Sequence, residues 1–274
     1  MILLVHSTKD MAGVNIANTI HQRLHPTKTS ETFQGNPIYT IKVGTKQIQH
    51  ITLNEEPVYP QHLPQNFPNA QLILFISRHS SQSGKPTLSV HVPGNFAEAE
   101  LGGLPRQVSI APATAMQTAL KALNHIKTEK GLEYEVTYEC THHGPSLRVP
   151  TMFVELGSSP KQWQDTEAAD VVGQAAIEAA TSFGDLDNRA VLGIGGMHYN
   201  QKFTTMALNG EAAFGHMIPK YALPQIDVEM LRQCKERTWE KVDTAILDWK
   251  GIKSEDKPKL MGSLAEISLK IQKV

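Results

Sequence analysis

Thr141-His142-His143-Gly144-Pro145 is the stretch on which the reading of the whole chain turns. It follows Tyr134 to Cys140, where Tyr134, Val136, Tyr138 and Cys140 alternate with Glu135, Thr137 and Glu139, and that period of two predicts a strand with Glu139 on its polar face. Gly144 supplies conformational freedom and Pro145 lacks the amide that a central ladder needs, so the strand is expected to end just past the histidines. Two adjacent imidazoles then stand at the carboxyl end of a strand, where open α/β sheets collect their ligands. Neighbouring side chains on a strand point to opposite faces, so His142 and His143 are expected to be unequal, one facing a pocket and the other tying down the strand end.

Working outward, Ile2 to Val5 followed by apolar residues at Val14, Ala17, Ile20 and Leu24 gives an opening β-α unit. Ile38–Val43 and Gln47–Leu53 around Gly44-Thr45 read as a hairpin. The continuous apolar run Leu72–Ile76 predicts a central strand covered on both faces, leaving through Ser77-Arg78-His79-Ser80-Ser81. A helix is expected from Pro112 to Lys127, a strand from Thr151 to Leu156 with Glu155 inside it, and a helix start at Ser159-Pro160 with Gln162 completing a capping box. Beyond these come a helix from Asp165 to Phe183, the strand Val191–Ile194, a helix at 228–237, the strand Val242–Leu247 and a closing helix at 258–271. Strands alternating with helices, plus one early hairpin, predict a single α/β domain over 1–274, three-layer α/β/α with a mixed, mostly parallel sheet.

The 274 residues carry 26 basic and 27 acidic side chains, so no global field holds a polyanion and any nucleic-acid contact must be a local patch. Two cysteines, Cys140 and Cys234, without a Cys-x-x-Cys pair, suit a reducing compartment. The apolar start Met1–Val5 is too short for a signal segment. A cytoplasmic monomer without membrane contact is expected.

Candidate chemistry collects at the strand exits. His142, His143, His198 and Glu155 are the expected catalytic groups, and His79, Ser80, Gly195, Gly196, Tyr199 and Lys220 the expected substrate contacts. Several imidazoles with a carboxylate suit a hydrolytic metal, with His142, His198 and His216 as candidate ligands. His21, His25, His50, His62 and His125 read as structural. Gly193-Ile194-Gly195-Gly196 follows a strand as a dinucleotide loop would, but the third glycine position is His198, which argues against that use. Ser80 and Ser81 beside His79 lack a Gly-x-Ser-x-Gly elbow, so water rather than a serine is the expected nucleophile. A metal-dependent peptidase or amidohydrolase and a non-catalytic RNA-binding module remain the alternatives on these residues alone.

Taken together, Ser77-Arg78-His79-Ser80-Ser81, His91-Val92-Pro93-Gly94-Asn95, Thr141 to Pro145, Gly193 to Tyr199, Phe214 to Ala222 and Asp248-Trp249-Lys250-Gly251 resemble the archaeal and plant type of D-aminoacyl-tRNA deacylase, in order and approximate spacing. Met197 stands where many relatives are expected to carry glycine. The resemblance implies a fold similar to the phosphorylase and peptidyl-tRNA hydrolase group, a zinc requirement, and hydrolysis of the ester joining a D-amino acid such as D-tyrosine to tRNA. Lys220, Arg148, Lys202, Lys250 and Lys253 are then candidates for tRNA phosphates. Rejection of L-substrates is expected from a backbone wall at Gly193, Gly195 and Gly196 or at the Gly144-Pro145 turn.

Overall fold

A computed structural model describes residues 1–184 and 189–274. In chain order its elements are β1 (Ile2–Ser7), α1 (Met11–Leu24), β2 (Thr27–Phe33), β3 (Asn36–Val43), β4 (Lys46–Leu53), α2 (Leu63–Asn66), β5 (Leu72–Arg78), β6 (Thr87–His91), α3 (Ala113–Glu129), β7 (Glu135–Tyr138), β8 (Thr151–Gly157), α4 (Pro160–Trp163), α5 (Thr166–Ser182), β9 (Ala190–Ile194), α6 (Gln201–Leu208), β10 (Ala213–Ile218), α7 (Val228–Glu236), β11 (Val242–Leu247), α8 (Lys257–Glu266) and β12 (Lys270–Lys273). The large sheet runs β2-β3-β4-β1-β5-β8-β6-β7, and a second sheet runs β10-β9-β11-β12. In the large sheet β3 is antiparallel to β2 and β4, and β6 to β8, while the remaining pairs are parallel, as they are throughout the small sheet.

The α/β class and the mixed, mostly parallel main sheet agree with the sequence, but the strands divide between two sheets. Strands β9 and β11 of the second sheet are read in the sequence, but β10 is not, because Ala213–Ile218 is buried at every position, shows no alternation and carries a histidine in its middle. The closing helix also stops at Glu266, and Lys270–Lys273 forms a short edge strand beside β11 instead. At Ser159 the expected capping box fails, since its hydroxyl pairs with the Gln162 side chain rather than a helix amide. The working cap is Asp165, whose Oδ1 accepts the amides of Glu167 and Ala168 at 3.0 Å and opens α5.

β5 is central, as its unbroken apolar run requires. On one face Leu4, Leu74, Ile76 and Val154 pack under the apolar stripes of α1, α3 and α5, and the same cluster takes in Phe203, Phe214, Met217 and Ile246 beside the second sheet. On the opposite face Leu3, Val5, Phe75 and Phe153 meet Leu63, Phe67 and Leu147. Phe75 and Phe153 stack at 4.5 Å. The odd-numbered side chains of β5 and β8 thus share a face, so Ser77 and Glu155, paired in register, continue it toward the carboxyl end of β5. There the apolar core gives way to polar groups.

Between α1 and the sheet lies a chain of three imidazoles: His6 Nδ1 is 2.8 Å from His50 Nε2, and His50 Nδ1 is 2.8 Å from His21 Nε2. His21 and His50, read as structural, are engaged by these ring contacts. Burial first, then the neighbouring His21, pushes His6 down to about 4, and burial with His6 and His21 alongside lowers His50 strongly. Because these folded-state values lie below that of an unfolded histidine, near 6.5, the unfolded chain binds more protons as pH drops, and stability is lost from about pH 6.5 down to about 4. For His6 alone the loss is on the order of 3 kcal/mol. Thermal unfolding followed from pH 7 to pH 4 should show this fall, and His50→Leu should flatten it; an equally steep profile in the variant would remove the imidazole chain from the explanation.

Candidate active site

β7 ends at Tyr138, two residues earlier than its alternation suggests, and this early stop builds the site. Glu139 N–H makes a last bond to Val90 O of β6, while Cys140 N–H bonds to His198 O and Glu139 bridges Tyr199, so the chain passes from the β6 ladder to the loop after β9. Glu139, expected on the polar face, is turned inward and 1% exposed. At His143 the backbone takes a left-handed φ of 41°, which breaks the alternation and brings His142 and His143 together with ring centroids 4.3 Å apart. Both imidazoles line one cavity, correcting the expectation that they part. Gly144 is required for a reason other than freedom of φ, because a Cβ there would lie 2.1 Å from Gly103 N and 2.5 Å from Val58 O.

The cavity, about 540 Å³, is lined by His79, Glu139, His142, His143, Glu155 and His198, with Ser77, Ser80, Phe153, Tyr199 and Tyr59 among the surrounding groups. His142 Nδ1 donates to Cys140 O at 2.8 Å and His143 Nδ1 to Gly144 O at 2.7 Å. Those carbonyls fix the proton on Nδ1 in each ring and leave both Nε2 atoms unprotonated, that of His143 facing His91 Nε2 and that of His142 lying 3.8 Å from Glu139 Oε2. Burial, followed by the neighbouring His143, pushes His142 down to about 3, and burial pushes His143 down to about 4, so both stay neutral at neutral pH. His91, at the end of β6, stacks on Phe153 and places Nε2 3.2 Å from His143 Nε2; its buried Nδ1 has no hydrogen-bond partner.

Glu139 lies between two imidazoles. Its Oε2 is 3.0 Å from His198 Nε2 and its Oε1 is 3.2 Å from His79 Nδ1. Burial opposes its ionisation, but hydrogen bonds from His198 and His79 hold it well below the usual carboxylate range. His79 responds in the opposite direction. Burial would lower it, but hydrogen bonds to Glu139 and Glu155 push it up to about 11, and its Nε2 is 3.0 Å from the Tyr199 hydroxyl. Glu155 accepts the Ser77 hydroxyl at 2.7 Å, and burial raises it to about 7 against the bonds from His79 and Ser77. One carboxylate is thus firmly charged while its neighbour titrates near neutrality.

Of the residues singled out in the sequence, His79, Ser80, His142, His143, Glu155, His198 and Tyr199 converge on this cavity. His216 does not. Its Nε2 donates to Ser109 O and Arg237 O at 3.1 and 3.0 Å and its Nδ1 accepts the Thr141 hydroxyl at 3.1 Å, which leaves no lone pair for a metal. Gly195 and Gly196, at positive φ, pack against the turn at Asp248 and the side chain of Asn200, and Lys220 N–H bonds to Gly196 O behind them. With Gly193 against Phe203 and Gly144 against Gly103, none of the glycines expected to form a chiral wall lines the cavity. Two central groups, Glu139 and His91, were missed as site residues. His91 stood in a motif that carried the family resemblance, whereas Glu139 was hidden by a strand pattern that held one step too long.

Imidazoles and buried carboxylates around an open cavity at a strand exit define a hydrolytic α/β enzyme. The model of the D-aminoacyl-tRNA deacylase family matches residues 66–272, and the chain belongs to that family. It is 35% identical over 272 residues to the D-aminoacyl-tRNA deacylase of Pyrococcus abyssi and 36% identical over 273 residues to that of Thermococcus kodakarensis, in each case covering 97% of both chains. The crystal structure of a conserved protein of unknown function superposes with a TM-score of 0.88 at 29% identity, covering 100% of this chain and 95% of that one. No helix among the described residues is long and apolar enough to cross a membrane.

Since His142 and His143 both present an unprotonated Nε2 in one cavity, alanine at either position should reduce single-turnover deacylation by about 100-fold or more. A variant of either residue retaining activity within threefold of wild type would contradict this.

Proposed function

We infer that this chain hydrolyses the ester bond of D-aminoacyl-tRNA, D-tyrosyl-tRNA among its substrates, releasing the free D-amino acid and tRNA as a quality-control step of translation in the cytoplasm. The supporting observation is the convergence of His79, Glu139, His142, His143, Glu155 and His198 on one cavity, in a chain matching deacylase relatives over nearly its whole length. Water is the nucleophile. Neutral His142 orients it through its unprotonated Nε2, with His143 beside it held by His91, and Glu155, held near neutrality, takes its proton. His79, kept positive by its two carboxylates, faces the reacting carbonyl with Tyr199 and stabilises negative charge as it develops there.

The site also fits zinc, which takes neutral imidazole and carboxylate ligands. Donor atoms of His91, His142 and His143 lie within 4.8 Å of one another, as do those of Glu139, His142 and His198. The buried Nδ1 of His91 has no hydrogen-bond partner, and Oε1 of Glu139 has only ion-pair approaches, the nearer from His79 at 3.2 Å, so the same region is under-satisfied by protein alone. When bound, zinc would lower the pKa of a coordinated water toward roughly 7.

Ester, ribose and tRNA are common to both enantiomeric substrates, so selection acts at the α-carbon through whichever cavity side chains face it. Deacylation of D-tyrosyl-tRNA beside L-tyrosyl-tRNA, with and without chelator, tests the whole reading. Release from the D-substrate alone, lost on chelation and restored by zinc, is expected. Equal rates on both enantiomers would overturn the D-specific assignment, and full activity in chelator would remove zinc while leaving the esterase.

A further inference from the structure

Of the large apolar side chains left exposed on this molecule, several gather near the cavity, while Trp239 packs on Phe183 outside its lining. Among the described residues the exposed ones are Met11, Tyr59, Leu101, Leu104, Met197, Tyr221 and Trp239. Tyr59 and Leu101, each 50% exposed, line the cavity itself; Met11 follows the cavity residue Asp10, and Leu104 belongs to the loop of Leu101. Met197 and Tyr221, each 61% exposed, adjoin His198, Met197 by sequence and Tyr221 through a hydroxyl 3.1 Å from His198 Nδ1. Single exposed apolar residues are ordinary, but several of them in and beside the segments that line one cavity mark a recognition surface.

Tyr221 is distinctive among these side chains. Its tip is tethered, because the imidazole it meets is itself held at Nε2 by the buried Glu139 carboxylate, while much of the side chain remains open to solvent. A tyrosine fixed in this way loses little further freedom when a flat group stacks on it. Lys220 precedes it, and Lys250 is exposed in the turn whose Gly251 would bring a Cβ within 3.1 Å of Gly196 N. A stacking face with cations beside it is the chemistry that binds single-stranded nucleic acid.

We propose that Tyr221, with Met197 and the neighbouring Lys220 and Lys250, forms the subsite for the terminal nucleotide of the tRNA 3′ end, the base stacking on the Tyr221 ring. This rests on the deacylase reading: the ester's alcohol is the terminal ribose, so the group leaving the cavity mouth next to His198 is that ribose and its base. Enclosed side chains such as Phe153 serve the aminoacyl half, and the exposed ring serves the nucleotide half. Tyr221 is a binding residue here, and its hydroxyl also seats the His198 imidazole.

A cycle that varies protein and RNA together tests the assignment. Competition by intact deacylated tRNA is compared with competition by the same tRNA lacking its terminal nucleotide, using the wild type, Tyr221→Phe and Tyr221→Ala. The wild type should prefer intact tRNA by about tenfold, Tyr221→Phe should keep most of that preference because it keeps the ring, and Tyr221→Ala should abolish it. An undiminished preference in Tyr221→Ala, or no preference in the wild type, would overturn the subsite. Neither result touches the deacylase reading, which depends separately on wild-type hydrolysis of D-tyrosyl-tRNA.

Discussion

Everything in the site is arranged about the carboxylate of Glu139. It is 1% exposed, and such a charge persists inside a protein only when other groups replace the water it has lost. Two imidazoles do so, His198 on Oε2 and His79 on Oε1, and each reaches in turn to a tyrosine hydroxyl, Tyr221 and Tyr199 respectively. The result is a continuous chain from an exposed tyrosine through the buried carboxylate to a cavity tyrosine. It sets ring orientation at four positions, links the loop after β9 to the exit of β5, and keeps His79 charged beside Glu155. Remove the charge and His198 loses the partner that places its proton on Nε2, while His79 loses one of the two carboxylates that keep it charged.

The fold supports this carboxylate through an early break in regular structure. β7 gives up its ladder after Tyr138 so that Glu139 and Cys140 can pair with the β9 loop, and the left-handed turn at His143 then folds both imidazoles to the same side. Gly144 meets Gly103 and Val58 too closely for any side chain, which pins the turn. Such a site demands irregular backbone where a strand would otherwise continue, and irregular backbone is where sequence periodicity loses its meaning.

That boundary separates what was legible from what was not. β5 was readable because Leu72–Ile76 is apolar without interruption, and α5 because its alanine-rich stripe has helical spacing. β6 and β10 went unread, since both are buried at every position and interleave polar residues such as Ser89, His91 and His216 with apolar ones. His142, His143, Glu155, His79 and His198 announced themselves by standing at strand exits. His216 stood at such a place too, yet two backbone carbonyls and Thr141 occupy its ring, a purely tertiary fact. Glu139 was hidden for the converse reason: alternation assigned it to the outer face of a strand that had already ended.

The most direct test of the account is single-turnover hydrolysis of D-tyrosyl-tRNA by Glu139→Gln, which preserves the shape of the side chain and removes its charge. With thermal stability measured in parallel to establish folding, the account predicts a loss of about 100-fold or more in the chemical step. A folded Glu139→Gln protein hydrolysing D-tyrosyl-tRNA within threefold of the wild-type rate would contradict it.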